Sequence, residues 1–323
     1  MSTSPPDRPV VLSLGSINAD FQMRIDKRPE VSETLLAHDF VRAGGGKAAN
    51  VAFLARKLGR DPVLLGRVGD DDLAEQALAP LREIGIDLRH VDQVQGADTA
   101  VSVITVPPDG KKAIVLAPGA NDAWEQEDTG RPDEVVSAAP KGSILVIDCE
   151  VPEFVARAAA QSARRRGLFI LLDPSPADRV SDELLSLVDV VVPNPTEAET
   201  LTGIAVDGPD GAVRAGRAFL DRGCKVACMK LPDGGCIVAQ DKEDFRHVTV
   251  EEVDIVDTTG AGDAFAGAMA VALSEGHDAV AAAIFATAAS THAVTGYGSQ
   301  PAYPGRDDIE KISATITTSK LRE

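Results

Sequence analysis

Asp257-Thr258-Thr259-Gly260-Ala261-Gly262-Asp263-Ala264-Phe265 is the stretch on which the reading of this chain turns. An alternating, β-branched run at residues 248–256 precedes it and an Ala-rich run at 263–273 follows, which predicts a strand, a glycine turn and a helix N-terminus. The first N–H groups of a helix lack intrahelical acceptors and lie at the positive end of its dipole, so such a turn makes an anion site. Gly260 and Gly262 let the backbone come close to a phosphate. A carboxylate at Asp263 repels that phosphate unless it has a task, and the available one is accepting a proton from a hydroxyl that attacks phosphorus. An acidic first-turn residue also favours any helix by about 0.3–1 kcal/mol, so spacing alone leaves both readings open.

Outward from this turn, the N-terminal half carries a second glycine turn, Gly44-Gly45-Gly46, before an amphipathic helix at 47–58 whose face holds Val51, Leu54, Ala55 and Leu58. Lys47 and Asn50 in its first turn offer donors to hydroxyl oxygens. The short strand at 10–14 leads into Gly15-Ser16-Ile17-Asn18-Ala19-Asp20, which places Asn18 and Asp20 beyond a strand's carboxyl end, where open α/β sheets bind ligands. Short strands are expected at 21–25 and 35–41, and a hairpin at 99–106 and 112–116 around Pro107-Pro108-Asp109-Gly110. From residue 142 strands and helices alternate, and Glu150, Asp173 and Asn194 each follow a strand. That order predicts a doubly wound, mostly parallel α/β sheet with helices on both faces. Thr196 and Glu199 fit a capping box at the start of one helix.

Composition narrows the function. The 323 residues carry 50 acidic and 32 basic side chains, a formal charge of −18, which disfavours nucleic acid and anionic membranes as partners. Residues 1–9 are polar and Pro-rich, without the apolar core of a signal peptide, and the Ala-rich run 280–294 is too short and interrupted to span a bilayer. A cytoplasmic protein is expected, with Cys149, Cys224, Cys228 and Cys236 as free, buried thiols in no metal-binding spacing. The chain lacks both a G-x-x-x-x-G-K-[ST] P-loop and a G-x-G-x-x-G after its first strand.

DTTGAGDAFAGA at 257–268 and GGGKAANVAFLARKLG at 44–59 resemble the C-terminal and N-terminal signatures of the PfkB, or ribokinase-like, carbohydrate kinases. The resemblance implies an ATP- and Mg²⁺-dependent kinase acting on a primary hydroxyl of a small sugar, with D-ribose first, then a nucleoside or another sugar. A non-catalytic sugar- or nucleotide-binding protein is the alternative from another class. The resemblance further implies Asp263 as base at the catalytic turn Gly260, Ala261 and Gly262, with the amides of Ala261, Gly262 and Asp263 on the transferring group, and sugar contacts at Asn18, Asp20, Gly45, Gly46, Lys47, Asn50 and Glu150. Nucleotide contacts are implied at Asn194, Lys230, Asp233, Gly235, Gly262 and Thr287, with Glu197 in the Mg²⁺ network. It implies K⁺ at the Asp257 side chain and the carbonyls of Thr259, Ala293, Gly296 and Gly298. A β-sheet lid from residues 21–42 and 98–117, inserted into a core of 1–20, 43–97 and 118–323, is expected to close over the sugar and to pair in a homodimer. The chain departs from the family at Ala48 and Val51, where Gly and Gln are usual, at Pro232 in a nucleotide-loop Gly position, and at Ala302 for a Ser near the cation.

Overall fold

The computed structural model describes residues 8–321, so the Pro-rich start of the chain lies outside the described residues up to residue 7. The chain opens with β1 (Val11–Leu14), β2 (Asn18–Arg24), β3 (Val41–Gly45) and α1 (Lys47–Lys57). β4 (Pro62–Gly69), α2 (Asp72–Glu83), β5 (Val91–Val94), β6 (Ala100–Val106), β7 (Ala113–Ala117) and α3 (Gly130–Ala138) follow. Then come β8 (Ile144–Asp148), α4 (Glu153–Arg166), β9 (Phe169–Asp173), α5 (Asp182–Leu185), β10 (Val190–Val191), α6 (Pro195–Thr202), α7 (Pro209–Asp221) and β11 (Val226–Lys230). The last elements are β12 (Cys236–Ala239), β13 (Phe245–Thr249), α8 (Ala261–Ser274), α9 (Ala279–Ala293), α10 (Arg306–Ser313) and β14 (Thr317–Leu321).

Among the described residues ten strands form one sheet in the order β14-β13-β12-β11-β10-β9-β8-β1-β4-β5. The seven from β11 to β5 run parallel and β12 to β14 add antiparallel strands at one edge. Strands buried on both faces explain the near-continuous apolar runs of the sequence. On β8, Leu145 and Ile147 join one core with α4 and α7, while Ile144 and Val146 join the other with α1, α8, α9 and α10. The side-chain alternation of each strand thus supplies both helical layers, as the expected architecture requires. No helix among the described residues is long and apolar enough to cross a membrane.

A separate sheet orders β3-β2-β6-β7, with β2 and β6 parallel and the outer pairs antiparallel. The residues 35–41 expected as a strand are irregular up to Val41, and the strand runs through Gly44 and Gly45 instead. Those glycines are strand residues because nothing larger fits: a Cβ on Gly44 would lie 2.7 Å from the Ala77 carbonyl oxygen. Asn18 and Asp20, expected beyond the end of one strand and before the next at 21–25, are likewise in β2, paired opposite Gly45 and Ala43. A second difference lies before the central turn, where β13 ends at Thr249 opposite Thr317, the first residue of its antiparallel partner β14, and 250–256 leave the sheet. Their alternation lacks a strand to pair with, and Ile255 and Val256 stay largely exposed. α3, β5 and β14 were not expected from the sequence.

Candidate active site

The carboxyl ends of the central strands, the start of α8 and the inner face of the small sheet enclose a cleft of about 1050 Å³. At its centre Gly260 holds a left-handed φ of 74° as the residue before α8. A side chain there is also sterically barred, since a Cβ would stand 2.6 Å from that of Ser299 and 2.7 Å from the Tyr303 hydroxyl. Among the described residues the N–H groups of Gly262 and Asp263 have no acceptor and line the cleft, whereas that of Ala261, expected with them, donates to the Thr258 carbonyl at 3.3 Å and closes the turn.

Asp263 is buried, and three side chains from elsewhere fix it. Asn50 Nδ2 donates to its Oδ2 at 2.7 Å, and Gln300 Nε2 donates to Asn50 Oδ1 at 3.0 Å, so the amide of Asn50 is held with its nitrogen toward the carboxylate. Lys47 Nζ sits 3.6 Å from Asp263 and 3.8 Å from Asp173. Burial opposes the lysine's charge, but Asp173, Asp263, Glu150 and Glu197 outweigh it and hold its pKa well above the ordinary lysine value. The ammonium therefore stays a fixed cation between the two halves of the cleft.

At one end lie Asn18, Asp20 and Glu150. Asn18 Nδ2 donates to Ser102 Oγ at 3.1 Å and to Glu150 Oε2 at 3.4 Å, while Asn121 Nδ2 donates to Asn18 Oδ1 at 2.8 Å. Asp20 keeps one buried oxygen, Oδ1, without a hydrogen-bond partner. Burial pushes its carboxyl up to about 7; the Ser102 hydroxyl counteracts this, and Glu150 and Asp263 add to it. Burial also raises Glu150, against the pull of Lys47. A buried acceptor left unpaired costs about 1–3 kcal/mol, so this end is built for a ligand that donates hydrogen bonds. Gly45 is required beside it, because a Cβ would fall 1.9 Å from Asp20 Oδ2, whereas Gly46 (φ 92°) turns the chain into α1.

At the other end Lys230 Nζ lies 4.0 Å from Asp173, and a Cβ on Gly262 would be 3.5 Å from it, which puts the ammonium over the turn. Asn194, Glu197, Pro232, Asp233, Gly235 and Thr287 line the same end. The capping box forms, but with other residues than expected: Asn194 Oδ1 accepts from Glu197 N at 2.9 Å and Glu197 Oε2 accepts from Asn194 N at 2.8 Å. Pro195 starts the helix two residues earlier than a Thr196 cap allows. Gly235 has a packing reason of its own, since a Cβ would meet the Val248 carbonyl oxygen at 2.2 Å. All four cysteines are free and buried.

The implied K⁺ ligands are brought together, with Asp257 fully buried between the Thr259 turn and the 296–298 loop. Its carboxylate, however, already accepts four hydrogen bonds, and Ala302 packs a methyl against Gly296. A carboxylate has about four acceptor positions, so this donor set does not fit a cation bound to Asp257.

Several partners escaped the sequence reading. Asp148 accepts from Ser16 N at 3.1 Å and Glu150 N at 2.9 Å, tying the Gly15-Ser16 turn to the Glu150 strand end. Asn121, Ser102 and Gln300 also went unnoticed; only position beside a family motif, as for Gln300 in the segment Gly298-Ser299-Gln300, could have flagged one of them.

Over residues 9–306 the sequence matches the family described as pfkB family carbohydrate kinase. It is 34% identical over 301 residues to a ribokinase of Haemophilus influenzae, covering 93% of this chain and 97% of that protein. A deoxyribokinase of Salmonella typhi is 33% identical over 300 residues, covering 92% and 96%. The solved structure of Arabidopsis thaliana ribokinase complexed with ribose and ATP aligns with a TM-score of 0.81 at 30% identity, covering 95% of this chain and 99% of that one.

Proposed function

The chain belongs to the pfkB family of carbohydrate kinases, enzymes that phosphorylate an alcohol, and from that premise we propose that it transfers the γ-phosphoryl group of ATP to the 5-hydroxyl of D-ribose. The observation that carries the reading is Asp263, a buried carboxylate at a helix start with uncommitted amides, set between an acidic hydroxyl-binding end and a lysine-bearing end of one cleft. Asn18, Asp20 and Glu150 hold the sugar in this reading, and the unpartnered oxygen of Asp20 suits a donor from a sugar diol. Asp263 accepts the proton of the attacking hydroxyl, and Asn50 and Lys47 keep its carboxylate aimed for that transfer. Charge building on the transferring group meets the N–H groups of Gly262 and Asp263 and the ammoniums of Lys47 and Lys230. Asn194, Lys230, Asp233, Gly235 and Thr287 line the nucleotide end. Mg²⁺, which neutralises phosphate charge when bound with ATP, would be held through Glu197 and Asp173, carboxylates that face that end.

The lid is residues of β2, β3, β6 and β7, whose inner face carries Ser102 and Ile104 into the cleft. Its outer face presents Phe21, Val103 and Val115 in one register row, with Val115 74% exposed, which supports a homodimer through the lids. A cytoplasmic setting accords with four free thiols. The similarity to a deoxyribokinase favours 2-deoxyribose as the second reading. An ADP-release assay with D-ribose, 2-deoxy-D-ribose and no sugar tests both: ribose alone or in preference supports the first, deoxyribose in preference the second, and ADP release indifferent to sugar removes both.

A further inference from the structure

Three of the four donors to Asp257 belong to the loops it joins: Thr259 N at 2.8 Å and Thr259 Oγ1 at 2.7 Å on Oδ1, and Gly298 N at 2.9 Å on Oδ2. The fourth is Gln22 Nε2, 2.5 Å from Oδ2, and it comes from the lid strand β2. Gln22 is itself buried, two residues after Asp20 and therefore on the same face of that strand. Its amide fills the acceptor position that a cation would otherwise need, on a carboxylate that sets the geometry of the turn from Thr258 to Asp263. The lid meets this turn a second time through its hairpin: Lys112 Nζ donates to the Thr258 carbonyl at 2.9 Å, and the Gly110 carbonyl accepts from Thr258 N and Oγ1 at 3.1 and 3.0 Å.

We propose that Gln22 takes the place of the monovalent cation at Asp257, so that the turn is fixed by the lid and phosphoryl transfer runs without K⁺. This deepens the kinase reading and rests on it. Gln22 is a positioning residue: it touches no reacting atom and acts by holding Asp257, which holds Thr259 and Gly298. Because Asp20 and Gln22 share one strand face, the strand that receives the sugar is also the strand that orders the anion turn. A Glu at this position keeps the shape but replaces a donor by a second carboxylate beside Asp257, a pair that a cation or a shared proton reconciles.

The test measures initial rate and melting temperature in an alkali-free buffer titrated with KCl, against choline chloride of equal ionic strength, for wild type, Gln22→Glu and Gln22→Leu. Wild type should give superimposable rates and melting temperatures in the two salts. Both variants should lose kcat on the order of ten- to a hundredfold in choline, as expected of a displaced anion turn. KCl alone should restore Gln22→Glu and raise its melting temperature. A K⁺-specific rise in wild-type rate or melting temperature overturns the proposal, as does a kcat loss in Gln22→Glu that no salt restores, or wild-type kcat in both variants. A wild type inactive in both salts would refute the kinase reading, while the melting curves still decide this one.

Discussion

Replacing Gly45 by alanine tests whether Asp20 is aimed by its neighbours or merely lies near a pocket. The new Cβ would stand 1.9 Å from Asp20 Oδ2, 2.4 Å from Cγ and 2.7 Å from Oδ1. An ordinary non-bonded approach is about 3.5 Å, so one side must withdraw by roughly 1.5 Å. The backbone at Gly45 is pinned by its pairing opposite Asn18 and by the helix that starts at Lys47, so the carboxylate is the group that moves. A displacement of that size breaks a hydrogen bond, and one charge-assisted bond is worth about 1.5–3 kcal/mol. Sugar affinity should therefore fall roughly 10- to 150-fold. Calorimetry would measure ribose and a non-hydrolysable ATP analogue separately, with nucleotide affinity unchanged. The double variant Gly45→Ala with Asp20→Ala removes the clash along with the carboxylate, so it should bind ribose no worse than Asp20→Ala alone. Ribose affinity within twofold of wild type in Gly45→Ala would refute the argument, and additive losses in the double variant would show that Gly45 acts elsewhere.

Asp263→Asn should retain ribose binding but lose about 10²–10⁴-fold in kcat, and near-normal turnover in a stopped assay would remove Asp263 from the role of base. The Asp20 carboxyl, raised by burial to about 7, must be ionised to accept hydrogen bonds from sugar hydroxyls at both oxygens, so ribose affinity should be level above pH 7 and fall about tenfold per unit below it. Binding at pH 6.5 should release a proton, read by calorimetry in two buffers of different ionisation enthalpy; equal heats would contradict this. Val115→Glu on the outer face of the lid should give a monomer by light scattering with its circular dichroism spectrum unchanged, because that side chain is exposed in the single chain.

The anion turn was legible because its residue types are those its geometry demands: Gly260 needs a left-handed backbone and no Cβ, and the Ala-rich run after it makes a helix buried on every side. The parallel sheet was legible for a similar reason, since strands covered on both faces read as apolar runs. What could not be read is pairing across the chain. Asp148 reaches Ser16 over 132 residues, Asn121 reaches Asn18 over 103, and Gln300 reaches Asn50 over 250. Each partner is a common polar residue whose neighbours in sequence say nothing of its neighbour in space.

The lid was misread for a reason that bears on function. Pattern reading takes the apolar face of a strand as its inner face, and on that basis Phe21 and the residues after it begin a strand, while Asn18 and Asp20 lie before it, beyond the end of the preceding strand. The strand is inverted with respect to that rule. Asn18, Asp20 and Gln22 alternate along β2 and are buried, whereas Phe21 and Met23 stay partly exposed. Such a strand is stable only if its polar face finds partners, and β2 finds them in Ser102, Asn121, Glu150 and Asp257, with the Asp20 oxygen left over for a ligand. The apolar outer face is the converse of the same arrangement and calls for a cover of its own. A sheet with a polar interior and an apolar exterior is thus what results when the substrate completes the inside and a second copy the outside, and both requirements are carried by alternate residues of one strand.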